Sequence, residues 1–168
     1  MTHLAEQARF IIDFIIIFSA LTTSYHIGNV VCAIIEREGR FLIARRPLGK
    51  HLARKWEFPG SKVETGESEA EALERELIEE LGVRMEIVER LMPVEHCYAD
   101  RSLRLIAFHC RIAAGAPNAG EHEELRWIDI GEADDYDFPE ADLPILAEYR
   151  QKIAASVQSL PGKRRGTA

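Results

Sequence analysis

No stretch of this 168-residue chain holds the roughly 20 consecutive apolar residues that a membrane-spanning helix requires. The nearest approach, residues 10–21, is broken by Asp13 and Ser19. It also lacks the basic flank and small-residue cleavage site of a secretory signal, because Glu6 offsets Arg9 and no A-x-A pattern follows. Cysteine is scarce. Cys32, Cys97 and Cys110 form no C-x-x-C pair and leave one over under any pairing, so free thiols in a reducing, cytoplasmic setting are expected. Positive charge is short too. With 21 Lys and Arg against 28 Asp and Glu, the net charge of −7 excludes broad nucleic-acid binding, which needs clustered cations. A small phosphorylated molecule stays within reach if a divalent cation supplies positive charge locally.

What remains suits one globular domain, since 46% hydrophobic residues over this length bury a core without disulfides. Residues 1–28 are expected as an apolar extension, helical or absent from the mature chain, rather than a membrane anchor. Residues 29–158 carry the domain, and residues 159–168 read as a disordered basic tail containing Lys163, Arg164 and Arg165. No internal repeat is visible, and nothing in the chain specifies an oligomeric state.

Residues 30–35 (VVCAII) form an apolar run typical of a strand buried on both faces. A turn at residues 36–40 leads to a second strand at 41–44, and a polar loop over 45–55 leads to a short strand at 56–58, stopped by Pro59-Gly60. Ser68 and Glu71 make a capping box for a helix in which Ala70, Leu73, Leu77 and Leu81 recur at helical spacing, and Gly82 ends it. Strands are expected over 85–96, 103–112 and 125–130, with Asp100-Arg101-Ser102 at the turn between the first two and a loop over 113–119. A last helix begins at Pro144 and runs towards Ser156. The order of elements predicts a mixed sheet in an α/β/α sandwich.

The first helix carries the chemistry. Glu76, Glu79 and Glu80 lie at i, i+3 and i+4, within an arc of about 100°. Carboxylates so crowded repel one another unless a cation neutralises them, and hard divalent ions favour oxygen-rich sites. A solvated acidic helix would look the same by spacing alone. The flanking residues, SKVETGESEAEALERELIEELGV from Ser61, resemble the signature of the Nudix hydrolase family. Glu67, Arg75, Glu76, Leu77, Glu79, Glu80, Gly82 and Val83 match it; Ser61 stands where the family's first glycine belongs, one position after Gly60. The likeness spans residues 30–149 and is strongest to the MutT-like branch, through the segment WEFPG at 56–60, Arg45-Arg46 ending the second strand, and the Pro-flanked segment 138–144.

That resemblance implies hydrolysis of a nucleoside triphosphate to the monophosphate and pyrophosphate, with Mg²⁺ or Mn²⁺. Glu79, Glu80 and the Gly60 carbonyl would hold the metal, Glu76 would be ligand or general base, and Arg75 would orient a neighbouring carboxylate. Glu121 would join them from the loop before the last strand, with Glu123 and Glu124 as alternatives. Arg46 and Lys62 would meet phosphate, and Asp142 the base; Phe58 and Tyr98 read equally as rings that stack on a base or as core and rim packing, and Arg101 as a base contact or a solvated side chain. An ionised carboxylate at 142 only accepts hydrogen bonds. It suits an N–H such as cytosine N4, as in the family's CTP and 5-methyl-dCTP pyrophosphohydrolases, without excluding the N7–H of oxidised guanine. A surface aspartate capping the last helix is the plainer reading of that position. The histidines show no metal-ligand spacing. Nucleotide-sugar hydrolysis and a non-catalytic base-reading module are the weaker alternatives; Glu76, Glu79 and Glu80 all being present argues against the latter.

Overall fold

The computed structural model describes residues 25–159; the apolar segment 10–21 and the basic tail beyond Ser159 lie outside them. Strand β1 (Tyr25–Arg37) turns at Gly39 into β2 (Arg40–Arg45), followed by β3 (Trp56–Glu57), β4 (Gly60–Lys62) and helix α1 (Glu69–Leu81). Then come β5 (Arg84–Arg90), β6 (Val94–Cys97), β7 (Arg101–Ala114), β8 (Glu124–Ile128), a 3₁₀ turn (Ile130–Asp135) and helix α2 (Leu143–Ser159). The sheet is mixed: β1 and β7 run parallel at its centre, and all the other pairs are antiparallel.

Alternation along the central strands divides the core into two layers. Val31, Ala33 and Ile35 of β1 with Leu42 of β2 and Ile106 of β7 meet Leu73, Leu77 and Leu81 of α1. Cys32, Ile34, Phe41 and Ile43 point the other way, against Ile145, Leu146 and Tyr149 of α2. This is the expected α/β/α sandwich. The box of α1 therefore lies on one face of the sheet and the start of α2 on the other.

Several boundaries differ from the sequence pattern for identifiable reasons. β1 begins at Tyr25, ahead of Asn29, because Tyr25 and His26 pair with Arg101 and Ser102 of β7 although their side chains are exposed. The expected strand over 85–96 is broken into β5 and β6 at Leu91-Met92-Pro93, where Leu91 turns into the core and Met92 is 71% exposed. Proline has no N–H for the ladder. On α1 the small buried residue is Ala72, next to Leu73, whereas Ala70 faces solvent. Ser68 and Glu71 do form the capping box, and Gly82 closes the helix in the left-handed region at φ 71°.

β4 bears most directly on the site. β1 stays paired with β2 only at Glu36 and Arg37, and Val30–Cys32 pair instead with β4. Pro59-Gly60 thus does not end strand structure but starts a new strand. Gly60 is pressed so closely onto β1 that a Cβ would stand 2.0 Å from the Val31 carbonyl oxygen, and its φ is +155°. Ser61, the departure from the family signature, pairs with Val31 and is not among the non-glycine residues with positive φ. Its backbone is accessible to any L-residue. Gly60→Ala is expected to cost about 2–4 kcal/mol in urea unfolding. A loss below about 0.5 kcal/mol would mean that β4 can lift off β1.

Candidate active site

Two adjoining cavities open beside β4. The larger, about 270 Å³, is lined by Arg46, His51, Phe58, Lys62, Tyr98, Arg101 and Asp142 among others. The smaller, about 120 Å³, is lined by Lys50, Glu80, Glu121 and His122. Arg46, Glu57, Gly60 and Ser61 line both, so the two form one cleft with an acidic end and an aromatic end. A third cavity of about 390 Å³ lies between α2 and β5, where Glu36 is paired with His109 and Tyr149, and Glu89 with Lys152. Its acid and base groups answer one another, whereas the cleft beside β4 holds buried polar atoms with no partner.

At the acidic end, Arg75 organises the helix. It donates through Nε and Nη2 to both oxygens of Glu67, at 2.6 and 2.9 Å, and through Nη1 to Glu76. Glu79 is 3.5 Å from the same guanidinium but 61% exposed. Hydrogen bonding to Arg75 holds the Glu67 carboxyl down at about 2 and pushes the guanidinium above its ordinary value. Glu80 differs. Burial pushes its carboxyl up to about 7, with Glu76 and Glu57 adding to the rise against the opposing influence of His122. Glu80 Oε2 is buried with no hydrogen-bond partner.

Among the described residues, no group of three or more Asp, Glu, His or Cys side chains is arranged to hold a metal ion. The expected ligands do not converge: Glu76 is turned to Arg75, Glu79 faces solvent, and Glu121 is paired with Lys50 at 2.9 Å. The donors nevertheless fit a hard cation. They are all oxygens, and the buried Glu80 Oε2 has no hydrogen-bond partner and stands amid other carboxylates, with His122 Nε2 at 4.0 Å. The structure also separates the three glutamates of the loop before β8. Glu123 accepts from the Leu48 N–H and Glu124 from Arg126, leaving Glu121 as the one lining the cleft.

At the phosphate-facing edge, Arg46 donates to Glu57 and to the His51 carbonyl, and Lys62 is exposed on β4. Arg101 lines the cleft but is held by Asp100. Phe58 is 2% exposed, with its ring against Phe41 and Phe138 at 6.0 and 5.6 Å between centroids. Its faces are taken up by core packing, so it acts as cleft floor more than as a free stacking surface. Tyr98 stands edge-on between His51 and His96.

Asp142 is not a solvated cap. It is 6% exposed, one of its oxygens accepts from the Phe58 backbone N–H, and Oδ2 has no partner. Burial, reinforced by Glu57, raises its carboxyl to about 8. A carboxyl so raised favours its protonated form, which can donate one hydrogen bond and accept another. The sequence argument, which took it as an acceptor only, changes accordingly. Glu57, Lys50 and His122 are the cleft residues that the sequence pattern did not single out. Glu57 sits in a segment that reads as strand, and His122 in one that reads as an acidic loop.

Comparison with known proteins identifies the family. The model of the NUDIX domain matches residues 30–148. The chain is 40% identical over 127 residues to the CTP pyrophosphohydrolase of Escherichia coli, covering 76% of this chain and 94% of that protein. It is 31% identical over 124 residues to the 8-oxo-dGTP diphosphatase of the same organism, covering 73% and 96%. The solution structure of the E. coli ORF135 protein superposes with a TM-score of 0.68 at 38% identity, covering 79% of this chain and 94% of that one. The chain belongs to the Nudix family, among its MutT-like hydrolases of phosphoanhydrides.

Proposed function

We propose that this protein hydrolyses (deoxy)nucleoside triphosphates to monophosphate and pyrophosphate, clearing modified or surplus nucleotides such as 8-oxo-dGTP from the pool. One observation carries the reading. A single cleft has an unpartnered carboxyl oxygen at each end, Glu80 Oε2 where a cation fits and Asp142 Oδ2 where a base fits. Arg46, Gly60 and Ser61 lie between them.

Mg²⁺ or Mn²⁺ would be held by Glu76, Glu79, Glu80, Glu121 and the Gly60 carbonyl. Bound there, the cation supplies charge against the triphosphate and acidifies water. Arg75 holds Glu76, which would turn from it to serve as ligand or general base. Arg46, with Nε and Nη1 engaged, offers Nη2 to a phosphate oxygen, and Lys62 offers a second cation at the rim. As a neutral acid, Asp142 matches any base edge that presents an acceptor beside an N–H: N3 with N4–H in cytosine, O6 with N7–H in 8-oxoguanine. CTP or dCTP is the second substrate reading, favoured by the 40% identity to a CTP pyrophosphohydrolase. We place the protein in the cytoplasm, in keeping with three free thiols and with no described helix long and apolar enough to cross a membrane.

Purified protein with Mg²⁺, assayed on 8-oxo-dGTP, dCTP, CTP and 5-methyl-dCTP, decides between the bases. At least a tenfold preference in kcat/KM is expected for either the oxidised purine or the cytosine nucleotides. Equal, low rates on all of them would contradict both readings.

A further inference from the structure

We infer that His122 is a positioning residue joining the phosphate arm of the cleft to its metal end, an inference that rests on the metal-dependent reading above. Its side chain is only 5% exposed, and Nε2 stands 3.7 Å from Glu57 Oε1 and 4.0 Å from Glu80 Oε2. Glu57 in turn holds Arg46. One imidazole therefore lies between the carboxylate that orients the phosphate-facing arginine and the buried carboxylate assigned to the cation.

The loop is fastened in a way that puts it there. The Asn118 backbone N–H and side-chain amide both donate to the Leu81 carbonyl at the end of α1, at 3.1 and 3.0 Å. Gly120 donates to Asn118 Oδ1 and lies so close to α1 that a Cβ would stand 1.9 Å from the Glu80 carbonyl oxygen. The His122 N–H donates to the Ala119 carbonyl and the Glu123 N–H to the Arg45 carbonyl, tying the far end to β2. Glu121, 67% exposed, lines the outer part of the cleft from this loop. The anchoring serves to drive the next residue into the cleft.

Glu80 Oε2 and His122 Nδ1 are both buried without hydrogen-bond partners. Unmet buried groups cost stability, and in a folded protein they mark sites kept for another purpose. Nε2 faces both carboxylates at ion-pair distance, 3.7 and 4.0 Å, and a proton placed there would limit how far either can turn. Partners of ligating carboxylates commonly change metal affinity about 10- to 100-fold when removed.

The test titrates Mn²⁺ alone into the full-length chain and follows the free-ion signal by electron paramagnetic resonance, with thermal melts on each variant. His122→Ala is expected to weaken Mn²⁺ binding about tenfold, and His122→Gln, which keeps an N–H donor, to recover most of the loss. If the alanine variant does not fold, His122→Leu fills the space without a donor and must show the same loss. Folded Ala and Leu variants that bind within twofold of a binding wild type overturn this inference alone. A wild-type chain that takes up no Mn²⁺ overturns it together with the metal reading.

Discussion

Glu79→Gln is expected to lower kcat for pyrophosphate release about 10³-fold while leaving the melting temperature nearly unchanged. Glu79 is 61% exposed and, among the described residues, is paired with Arg75 alone, at 3.5 Å, so the fold asks little of it. A neutral amide of the same shape removes the charge that a cation needs. Glu80→Gln should lose turnover to a similar degree but with a different effect on stability. The Glu80 carboxyl is raised to about 7, mainly by burial, so its neutral form is the one the metal-free fold prefers. As pH rises from the unfolded value of 4.5 towards 7 the metal-free wild type loses stability, and the glutamine variant, which never ionises, should gain on it over that range and keep the gain above it. Circular-dichroism melts in chelator beside a pyrophosphate-release assay read both quantities. Full turnover in Glu79→Gln would remove the box from the chemistry.

The second large effect concerns Asp142. Asp142→Ala should raise KM about 10- to 100-fold with kcat little changed, because a hydrogen-bonding site for the base is emptied far from the scissile phosphates. Asp142→Asn keeps one acceptor and one donor and should bind nearly as the wild type does at pH 7. The two part company with pH. With a folded value of about 8, the wild-type acid loses its donor as pH passes 8, so its kcat/KM should fall there relative to that of Asp142→Asn, whose amide does not titrate.

Stability follows the same group. An unfolded aspartate ionises near 3.8, whereas the folded one holds its proton to about 8. The stabilisation is fully present below the unfolded value and is lost progressively as pH rises towards 8, at no more than about 1.4 kcal/mol per pH unit. The melting temperature of Asp142→Asn should therefore gain on that of the wild type between pH 5 and 8. A difference independent of pH would mean that Asp142 is ionised in the folded protein.

The parts of this fold that could be read in the sequence are those set by local pattern. Ser68 and Glu71 start α1 and Gly82 ends it, and the apolar run after Asn29 declares a central strand by itself. What escaped depends on partners distant along the chain. β4 exists because Gly60 can lie on Val31, and the break between β5 and β6 because Leu91 enters the core while Met92 does not. The same holds for the site. The carboxylates of the box are legible because helical spacing puts them together. The raised carboxyl of Asp142 is not, because it comes from burial with the charge of Glu57 adding to it, and a carboxylate in a string of letters looks ionised. Nor is His122, whose burial depends on Asn118 and Gly120 seating a loop against the end of α1.

The most direct measurement is ³¹P NMR of the products formed from dCTP and 8-oxo-dGTP by the purified protein, with Mg²⁺ and again after chelation. Monophosphate and pyrophosphate in equal amounts, formed only with the metal, are expected. Release of orthophosphate with a nucleoside diphosphate, or turnover undiminished by the chelator, would contradict a metal-dependent pyrophosphohydrolase built on Glu76, Glu79 and Glu80.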